Sequence, residues 1–573
     1  MNRISSGLLV AAMAIVAPLS AQTIATFSPT SGGVGSLVTV TGSNLNTVNS
    51  VALNGTPCIL LSTSPTSLRF MIMPGVSSGA VTVTGAATVS SSTPFTVTTP
   101  TLNPVPQGGK IVGSGSVGES QQGWCVALSA DGNTMAVGAL WDSSNTLQWS
   151  TNYSRGSAWV FVRSGTSWME QFRIVGTGST GRMGHSVALS ADGNTLAVGD
   201  PGDGIGGVLV YTRTGTTWSQ QGSKLIGNGY IGSPNLGTSV SLSADGNTLA
   251  IGAANDNTRI GATWIFTRTG NVWTQQGNKL VGTGGILYTT QGDAVSLSAD
   301  GNTLAVGGEG DSLYRGACWI FTRNGSAWTQ VGGKLKGTGA TNSAYHGFRL
   351  ALSADGNTLA VAGNGDSSSR GATWIYVRSG NAWTQLGSKI PGEGSTYGQS
   401  VSLSADGNIL AIGETTFSPY RGRVRLFSRT GTSWTQLGND LMVTGTNPNA
   451  GMLFGKSVAL STDGKTLAAG GIWDSQFKGS TWVFSGETAP IIPTSVAAVN
   501  QEATASFWPN PATNQITISG GREAGSMRII DADGKNVFTS RYMRGESVEL
   551  PAIATGLYWI QIDGQSATPM MKW

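Results

Sequence analysis

Carboxylates at regular intervals are the residues of this chain best placed to do chemistry. One set lies in an Asp-Gly turn and comprises Asp131, Asp192, Asp245, Asp300, Asp355, Asp406 and Asp463, with neighbours 51 to 61 residues apart. A second set follows each turn: Asp142, Asp203, Asp256, Asp311, Asp366 and Asp474, with Phe417 in the corresponding place of the sixth unit. Near the end of the same loops Arg155, Arg315, Arg370, Arg421 and Lys478 each immediately precede a Gly. Repeated carboxylates raise the question of calcium, which takes about six to eight oxygen ligands from a loop of the D-x-[DN]-x-[DN]-G kind. The turn "ADGN" offers one carboxylate and one amide, too few for that ion. The first set therefore reads as turn formers, since Asp tolerates left-handed backbone and bonds its own main chain. The second set reads as a local Asp–Arg pair or Asx turn that stiffens each loop. Its sharper reading is a ring of charge that meets an anionic or polar ligand.

Other catalytic groups are sparse. His185 and His346 are the only histidines, they occupy different places in their units, and no motif frames either as the base of a Ser-His-Asp system. No His/Cys cluster has metal-site spacing, and no cofactor is expected. Cys58, Cys125 and Cys318 are odd in number and far apart, so they read as small buried apolar residues and not as a disulfide framework. A glycosidase built on a carboxylate pair stays open as an alternative. The formal charge of +4, without a Lys/Arg block, gives no case for nucleic acid.

The elements that carry these residues repeat. In the unit 237–284, "SVSLSA" alternates apolar and small polar residues, as a half-buried strand does. Asp245-Gly246 predicts a two-residue type I′ hairpin, and "TLAIGA" returns. After a variable loop come "ATWIFTR", rich in β-branched and aromatic residues, a "TG" turn, and "VWTQQGNKLVG". Four strands per unit and no helical stretch predict propeller blades. Trp168, Trp218, Trp273, Trp328, Trp383 and Trp434 form a column that reads as packing between blades. The seventh unit stops after "STWVFS" and lacks a fourth strand. "GGKIVGSG" at 108–115 resembles "GNKLVGTG" at 277–284, so the front of the chain is expected to complete the last blade and hide two edges. With the motifs "GxSVxLSADGNTLAVGA" and "RGATWIFTRTGxxWTQ", the region from about 108 to 486 resembles FG-GAP-type repeats, the family that builds the integrin α-chain propeller. Its turns depart from that family's calcium loop, so no calcium is carried over.

Turns of two kinds, "ADG" and "TG/SG", hardly vary between units. The other two loop sets do vary, and they share the opposite face of the ring. Loops held by a rigid scaffold are the usual home of binding residues. The first unit carries the insertion "NTLQWSTNYS" with Trp149 and Tyr153. Further aromatics are Tyr230, Tyr288, Tyr314, Tyr345, Tyr397, Phe417 and Tyr420. Trp149, Tyr153, Tyr230, Tyr288, Tyr314, Tyr345 and Tyr420, with Arg155, Arg315, Arg370, Arg421 and Lys478, are the candidate ligand-face residues.

The flanks differ in pattern. Arg3, the apolar run at 7–19 and "LSA" before Gln22 predict a secretory signal over 1–21, too short to span a bilayer. Residues 22–97 alternate strand and turn signals, and "FSPTSGGVGSLVTVTGSNL" with "SGAVTVTG" resembles an IPT/TIG domain, an immunoglobulin-like β-sandwich used as a spacer or protein-contact unit. The Pro-rich linker 98–107 is expected to hold it apart from the ring. After a second linker, 487–504, the segment 505–573 with "PNPA", "DADGK" and "LPAIATGLYWIQI" resembles the C-terminal sorting domain of type IX secretion substrates. That resemblance implies passage across the outer membrane by the type IX machinery, then release or attachment at the surface, with no integral span in the mature protein. The expected fold is all-β: a seven-bladed propeller at 108–486 between an N-terminal immunoglobulin-like sandwich and a small C-terminal β-sandwich. The expected function is non-enzymatic binding or adhesion to an extracellular glycan or protein. A purely structural role and a polysaccharide hydrolase or lyase are the alternatives.

Overall fold

The computed structural model describes residues 21–98, 104–142, 154–178, 181–341, 343–394, 396–417, 421–443 and 451–486, and a set of strands between 506 and 572. It divides into two compact units, residues 1–488 and 489–573.

Within the first unit, strands Thr23–Ser28, Leu37–Ser43, Ser67–Met71 and Thr56–Thr63 pair antiparallel, and Ser50–Leu53, Gly79–Thr84 and Thr88–Val97 continue the sheet. Thr56–Thr63 changes partner along its length: Thr56 to Cys58 face Ser50–Leu53, and Ile59 to Thr63 face Ser67–Met71. Such a crossing strand lets the sheet fold over on itself. The residues that alternate inward, among them Phe27, Val38, Val40, Leu68, Phe70, Val81, Val83 and Phe95, form one buried core.

Seven sheets follow. The third is typical, with Ser239–Leu242, Thr248–Ala253, Ala262–Thr269 and Val272–Gln275 in simple antiparallel order. Its second strand is buried at every position, because neighbouring blades cover both faces. Each first strand lies beside the first strand of the next blade, and the first strand of the seventh lies beside that of the first. The ring is therefore closed. The seventh sheet takes Val105–Pro106 as its outer strand against Ser480–Ser485. Ile111 and Thr481 exchange backbone hydrogen bonds of 2.8 and 3.0 Å, and Lys110 reaches Asp474 at 2.8 Å. The expected closure by the front of the chain holds, with residues 105–111 as its working part.

The Asp-Gly turns depart from the type I′ expectation. Gly132, Gly193, Gly246 and their equivalents have φ near +67°, but the preceding Asp residues are not in the left-handed region. Gly246 N–H donates to Ser243 O, and Ser243 N–H to Thr248 O, so the loop has four residues. The Asp245 carboxylate accepts from Ser243 Oγ (2.5 Å), Asn247 N–H (2.9 Å) and Asn247 Nδ2 (3.0 Å). Ser243 Oγ in turn accepts from Thr248 N–H at 2.9 Å. This Ser-Asp-Asn lattice favours the longer turn over the two-residue one, and it occupies the Asp as a turn former.

These turns also join the blades. Ala130 N–H donates to Ala191 O, Ala191 to Ala244, Ala244 to Ala299, Ala299 to Ala354, Ala354 to Ala405 and Ala405 to Thr462, all at 2.8 to 2.9 Å. At the seventh position the sequence reads "STDGK" in place of "SADGN". Thr462 Oγ1 lies 2.7 Å from Gly35 O of the N-terminal domain and 3.1 Å from Ala130 O. Gly35, at φ +87°, fits there because a Cβ would stand 2.4 Å from Thr462 O. Ala130, Ala191, Ala244, Ala354 and Ala405 form one apolar cluster with Met71, Val34, Leu37, Ile59, Leu61 and Met73. The linker thus does not hold the N-terminal domain away from the ring. The apolar end of that sandwich covers the alanine circle on the turn face.

The second unit holds two sheets, one of Ser506–Trp508, Gln515–Ser519 and Ser547–Glu549, the other of Asn536–Met543, Ala524–Ile530, Gly556–Ile562 and Thr568–Lys572. Met527 and Ile529 are buried on alternate positions with Ile560, the period of a strand with one covered face.

Candidate ligand-binding face and axial cavity

With the turn face covered, the other end of the ring carries the loops between second and third strands and those between blades. Among the described residues, the first of these loops has an unusual form in four blades. After Asp256, Asp311, Asp366 and Asp474, three successive residues hold positive φ: Asn257 to Arg259, Ser312 to Tyr314, Ser367 to Ser369, and Ser475 to Phe477. One left-handed turn of non-Gly residues is costly. It is fixed from both ends. The carbonyl of each Asp accepts from the Gly five residues on, as Gly316 N–H to Asp311 O at 2.9 Å. The side chain accepts from the incoming loop, as Ile286 N–H to Asp311 Oδ1 at 2.8 Å.

The partner of these carboxylates is not the Arg before the Gly. Asp311 pairs with Lys334 at 2.6 Å, Asp366 with Lys389 at 2.5 Å, Asp142 with Arg173 at 2.7 Å, and Asp256 with Lys279. The lysines follow the fourth strand, in "GNKL", "GGKL" and "GSKI", and Arg173 lies on the fourth strand of the first blade. Asp142, Asp256, Asp311 and Asp366 are buried, so the pairs are internal fasteners. In the sixth blade Glu414 takes over, meeting Arg423 at 2.6 Å, while Arg423 also meets Asp440 at 2.5 Å. Among the described residues no group of three or more His, Cys, Asp or Glu side chains is placed to hold a metal.

The arginines expected to pair with these carboxylates instead hold blade junctions by their main chains. Arg155 O accepts from Met183 N–H, Arg315 O from His346 N–H, Arg370 O from Tyr397 N–H, Arg421 O from Phe454 N–H, and Lys478 O from Gln122 N–H. The side chains of Arg155, Arg315, Arg370 and Lys478 are exposed on the loop face, and Arg421 is half-buried. Trp149, Tyr153 and Tyr420 lie outside the described residues. Tyr230, Tyr288 and Tyr314 are exposed. Tyr314 and Tyr345 come together, with ring centroids 5.5 Å apart. Ile286, Leu287 and Leu313 add exposed apolar surface beside Tyr288 and Tyr314, joined through Ser312 N–H to Ile286 O at 3.0 Å. Arg315 lines a side cavity of about 300 Å³ with Lys336, Ser312 and Thr341. Tyr397, by contrast, is fully buried.

The tryptophan column packs between blades. Trp273 Nε1 donates to Gln221 Oε1 of the preceding blade at 2.8 Å, and Arg268 lies over its ring at 5.4 Å. Trp218 and Trp328 repeat the arrangement with Gln171 and Gln276.

A site that the sequence did not reveal lies on the axis. The opening residues of the first strands enclose a cavity of about 190 Å³, lined by Trp124, His185, Thr238, Asp293, Arg349 and Lys456 among others. Trp124, His185, Thr238, Asp293 and Lys456 occupy the equivalent place after a Gly in their blades, where the fifth and sixth blades have Phe348 and Gln399, and each differs from the rest; Arg349 lies one residue on, at the place that Ser186, Ser239, Ser400 and Ser457 hold in other blades. That divergence at an otherwise repeated position was the available signal. Ser186, Ser239, Ser400 and Ser457 behind them donate to Gly237 O, Gly292 O, Gly455 O and Gly123 O of the next blade, each at 2.8 Å. The backing is therefore rigid. Lys456 Nζ stands 4.1 Å from the centre of the Trp124 ring, whose other neighbour is His185 at 5.9 Å. Burial, with the Arg349 charge second, pulls the Lys456 ammonium down to about 7. Burial holds the His185 imidazole neutral, at about 4, and its Nδ1 lies 3.0 Å from Thr238 O. Asp293 faces Arg349 at 3.9 Å. Burial raises Asp293, and burial together with the Asp293 carboxylate raises Glu309 to about 7. His346 is elsewhere, buried with Nε2 at 3.0 Å from Tyr376 OH and neutral by burial.

Comparison with known proteins places the two flanks. Residues 23–97 match the IPT/TIG domain family, and 506–573 match the secretion system C-terminal sorting domain family. No curated protein matches the chain. Among solved structures, an auxiliary nutrient binding protein from Bacteroides thetaiotaomicron aligns at 10% identity and a TM-score of 0.34, over 82% of this chain and 99% of that one. No helix among the described residues is long and apolar enough to cross a membrane. The chain thus joins an IPT/TIG domain, a seven-bladed ring and a type IX sorting tail in one secreted or outer-surface protein.

Proposed function

We propose that this is an exported binding or adhesion protein whose variable-loop face recognises an extracellular glycan or protein. One observation carries the reading: the N-terminal domain covers the turn face through the alanine circle, and the divergent loops with their exposed Tyr, Arg and apolar side chains occupy the other. Exposed aromatics among Ser, Asn and Gly suit an adaptable recognition surface. The seven units read as FG-GAP-like repeats without the calcium loop, residues 1–21 as an export signal, and the type IX machinery as the partner of the tail. The reading is non-catalytic. Asp311, one of the repeated carboxylates that follow the turns, is tied to Lys334 and Ile286, and His346 is tied to Tyr376. A glycan array combined with pulldown from matrix extracts tests the proposal. Binding lost on replacing loops 228–233, 285–289 and 312–315 with Gly/Ser segments supports it. Unchanged binding, or no binding to any glycan or matrix protein, overturns it. Polysaccharide cleavage by the intact protein would favour the enzyme instead.

A further inference from the structure

We propose that the axial cavity binds the carboxylate of an acidic sugar unit, held between Lys456 and Arg349 with Trp124 and His185 as its aromatic wall. The inference deepens the reading of the loop face as a recognition surface, and rests on it for the choice of a sugar.

The geometry supplies three arguments. First, charge is unbalanced. Arg349 has Asp293 as its counter-ion at 3.9 Å, and Glu309 is raised by burial and by the Asp293 carboxylate, with Arg349 and Arg259 acting against the rise. No carboxylate of the described residues lies within ion-pair distance of Lys456 Nζ; its close neighbour is the Trp124 ring. Arg349 acts on Lys456 as a like charge. A half-buried ammonium without a carboxylate in reach, repelled by a second cation, is stabilised by an incoming anion. Second, size is limiting. Sites for drug-sized molecules run to about 300–1,000 Å³. A cavity of about 190 Å³ takes one small unit and excludes a folded peptide. Third, the cavity does not reshape. Its serines are stapled to the next blade, and a neutral His185 adds no further positive charge. One uncompensated cation, with room for one ring, describes a monoanionic sugar acid.

The test is calorimetric titration of the full chain with glucuronate and galacturonate, with glucose and galactose as neutral counterparts and acetate and phosphate as bare anions. Sugar acids are expected to bind, neutral sugars not to bind, and acetate to bind more weakly than the sugar acids. Lys456→Met should weaken the sugar acid by about tenfold or more, the loss of a charge-assisted contact. Because that variant alters a buried site, a second readout uses the wild type. Competitive acetylation should mark Lys456 as more reactive than the other lysines at neutral pH, and saturating sugar acid should protect it. Equal binding of acid and neutral sugars, phosphate outcompeting every sugar acid, or Lys456 labelling unaffected by the ligand would overturn the proposal. Its failure is separable from failure of the loop-face reading. If the cavity is not the site but the loop face is, Lys456→Met leaves array binding intact while the loop-replaced protein loses it.

Discussion

The tryptophans between blades show how a repeated residue depends on a less conspicuous neighbour. Trp218, Trp273 and Trp328 each donate to a Gln of the preceding blade. The equivalent positions before Trp383 and Trp434 hold Val331 and Leu386, and both indole N–H groups are buried without a partner. Val331→Gln is therefore expected to stabilise the ring by about 1 kcal/mol, as Gln276 does for Trp328. Urea unfolding of the variant measures it, and no gain would mean that Trp383 Nε1 already finds water. The buried Asp–Lys fasteners act in the opposite sense. Asp311→Asn leaves Lys334 without its charge partner, and should cost about 3–5 kcal/mol, with part recovered in the double variant Asp311→Asn, Lys334→Met. A double variant no better than the single would deny that the lost charge pairing is the cause. In the axial cavity the sign of the pH effect follows from the direction of the shift. Lys456 faces Arg349, Cys125 and His185, with Asp293 and Glu309 beyond Arg349. Its folded value is about 7, below the ordinary lysine range, so above pH 7 the unfolded chain holds a proton that the folded one has released. Unfolding free energy should then rise with pH from about 7 to about 8.5, before the thiols titrate, and Lys456→Met should lack that rise. Denaturant melts of both proteins at three pH values decide it.

At the scale of the element, closure by residues 105–111 concentrates risk in a short segment. Ile111 both donates to and accepts from Thr481, and its side chain packs against the core between the first and last blades. Ile111→Pro removes the donor from one of the contacts by which the front of the chain fastens the end, beside Val105–Pro106 and Lys110, and a loss of about 2 kcal/mol or more is expected, read as a lower thermal midpoint. An unchanged midpoint would mean that Val105–Pro106, Lys110 and the alanine circle hold the ring without that bond. Much of this architecture was legible beforehand. The period of two in "SVSLSA", the "GGKIVG" echo and the truncated seventh unit all report burial and edge pairing, which are local consequences of residue type. Two features were not legible for physical reasons. The Asp-Gly turn resolved to four residues because the Ser243 and Asn247 side chains supply hydrogen bonds that a dipeptide rule omits. Left-handed turns over Ser312 to Tyr314 carry neither Gly nor Asn, since their strain is held by contacts from another loop. The axial residues Trp124, Asp293, Arg349 and Lys456 were hidden by the opposite circumstance: only the closed ring brings them into one cavity.

For the whole molecule, the division of labour follows the direction in which each part can be removed. The N-terminal domain shares an apolar cluster and a hydrogen bond with the ring, from Thr462 Oγ1 to Gly35 O, so the two form one compact unit. The sorting tail forms its own unit, residues 489–573, with two sheets that pair among themselves. None of the ring's closing contacts, Val105–Pro106, Lys110 or Ile111, comes from that tail. Deleting 505–573 should therefore leave the thermal midpoint and the sugar-acid affinity of the remaining chain unchanged while abolishing its transit to the medium or outer surface. The two readouts separate address from fold. Folded, binding-competent protein trapped inside the outer membrane is the expected result, seen by fractionation and by protease protection in intact cells. Arrival at the surface without the tail would show that a second export signal lies in the ring or the N-terminal domain. Loss of the ring's midpoint would show instead that the tail completes a fold that its own strand pairing says is closed without it.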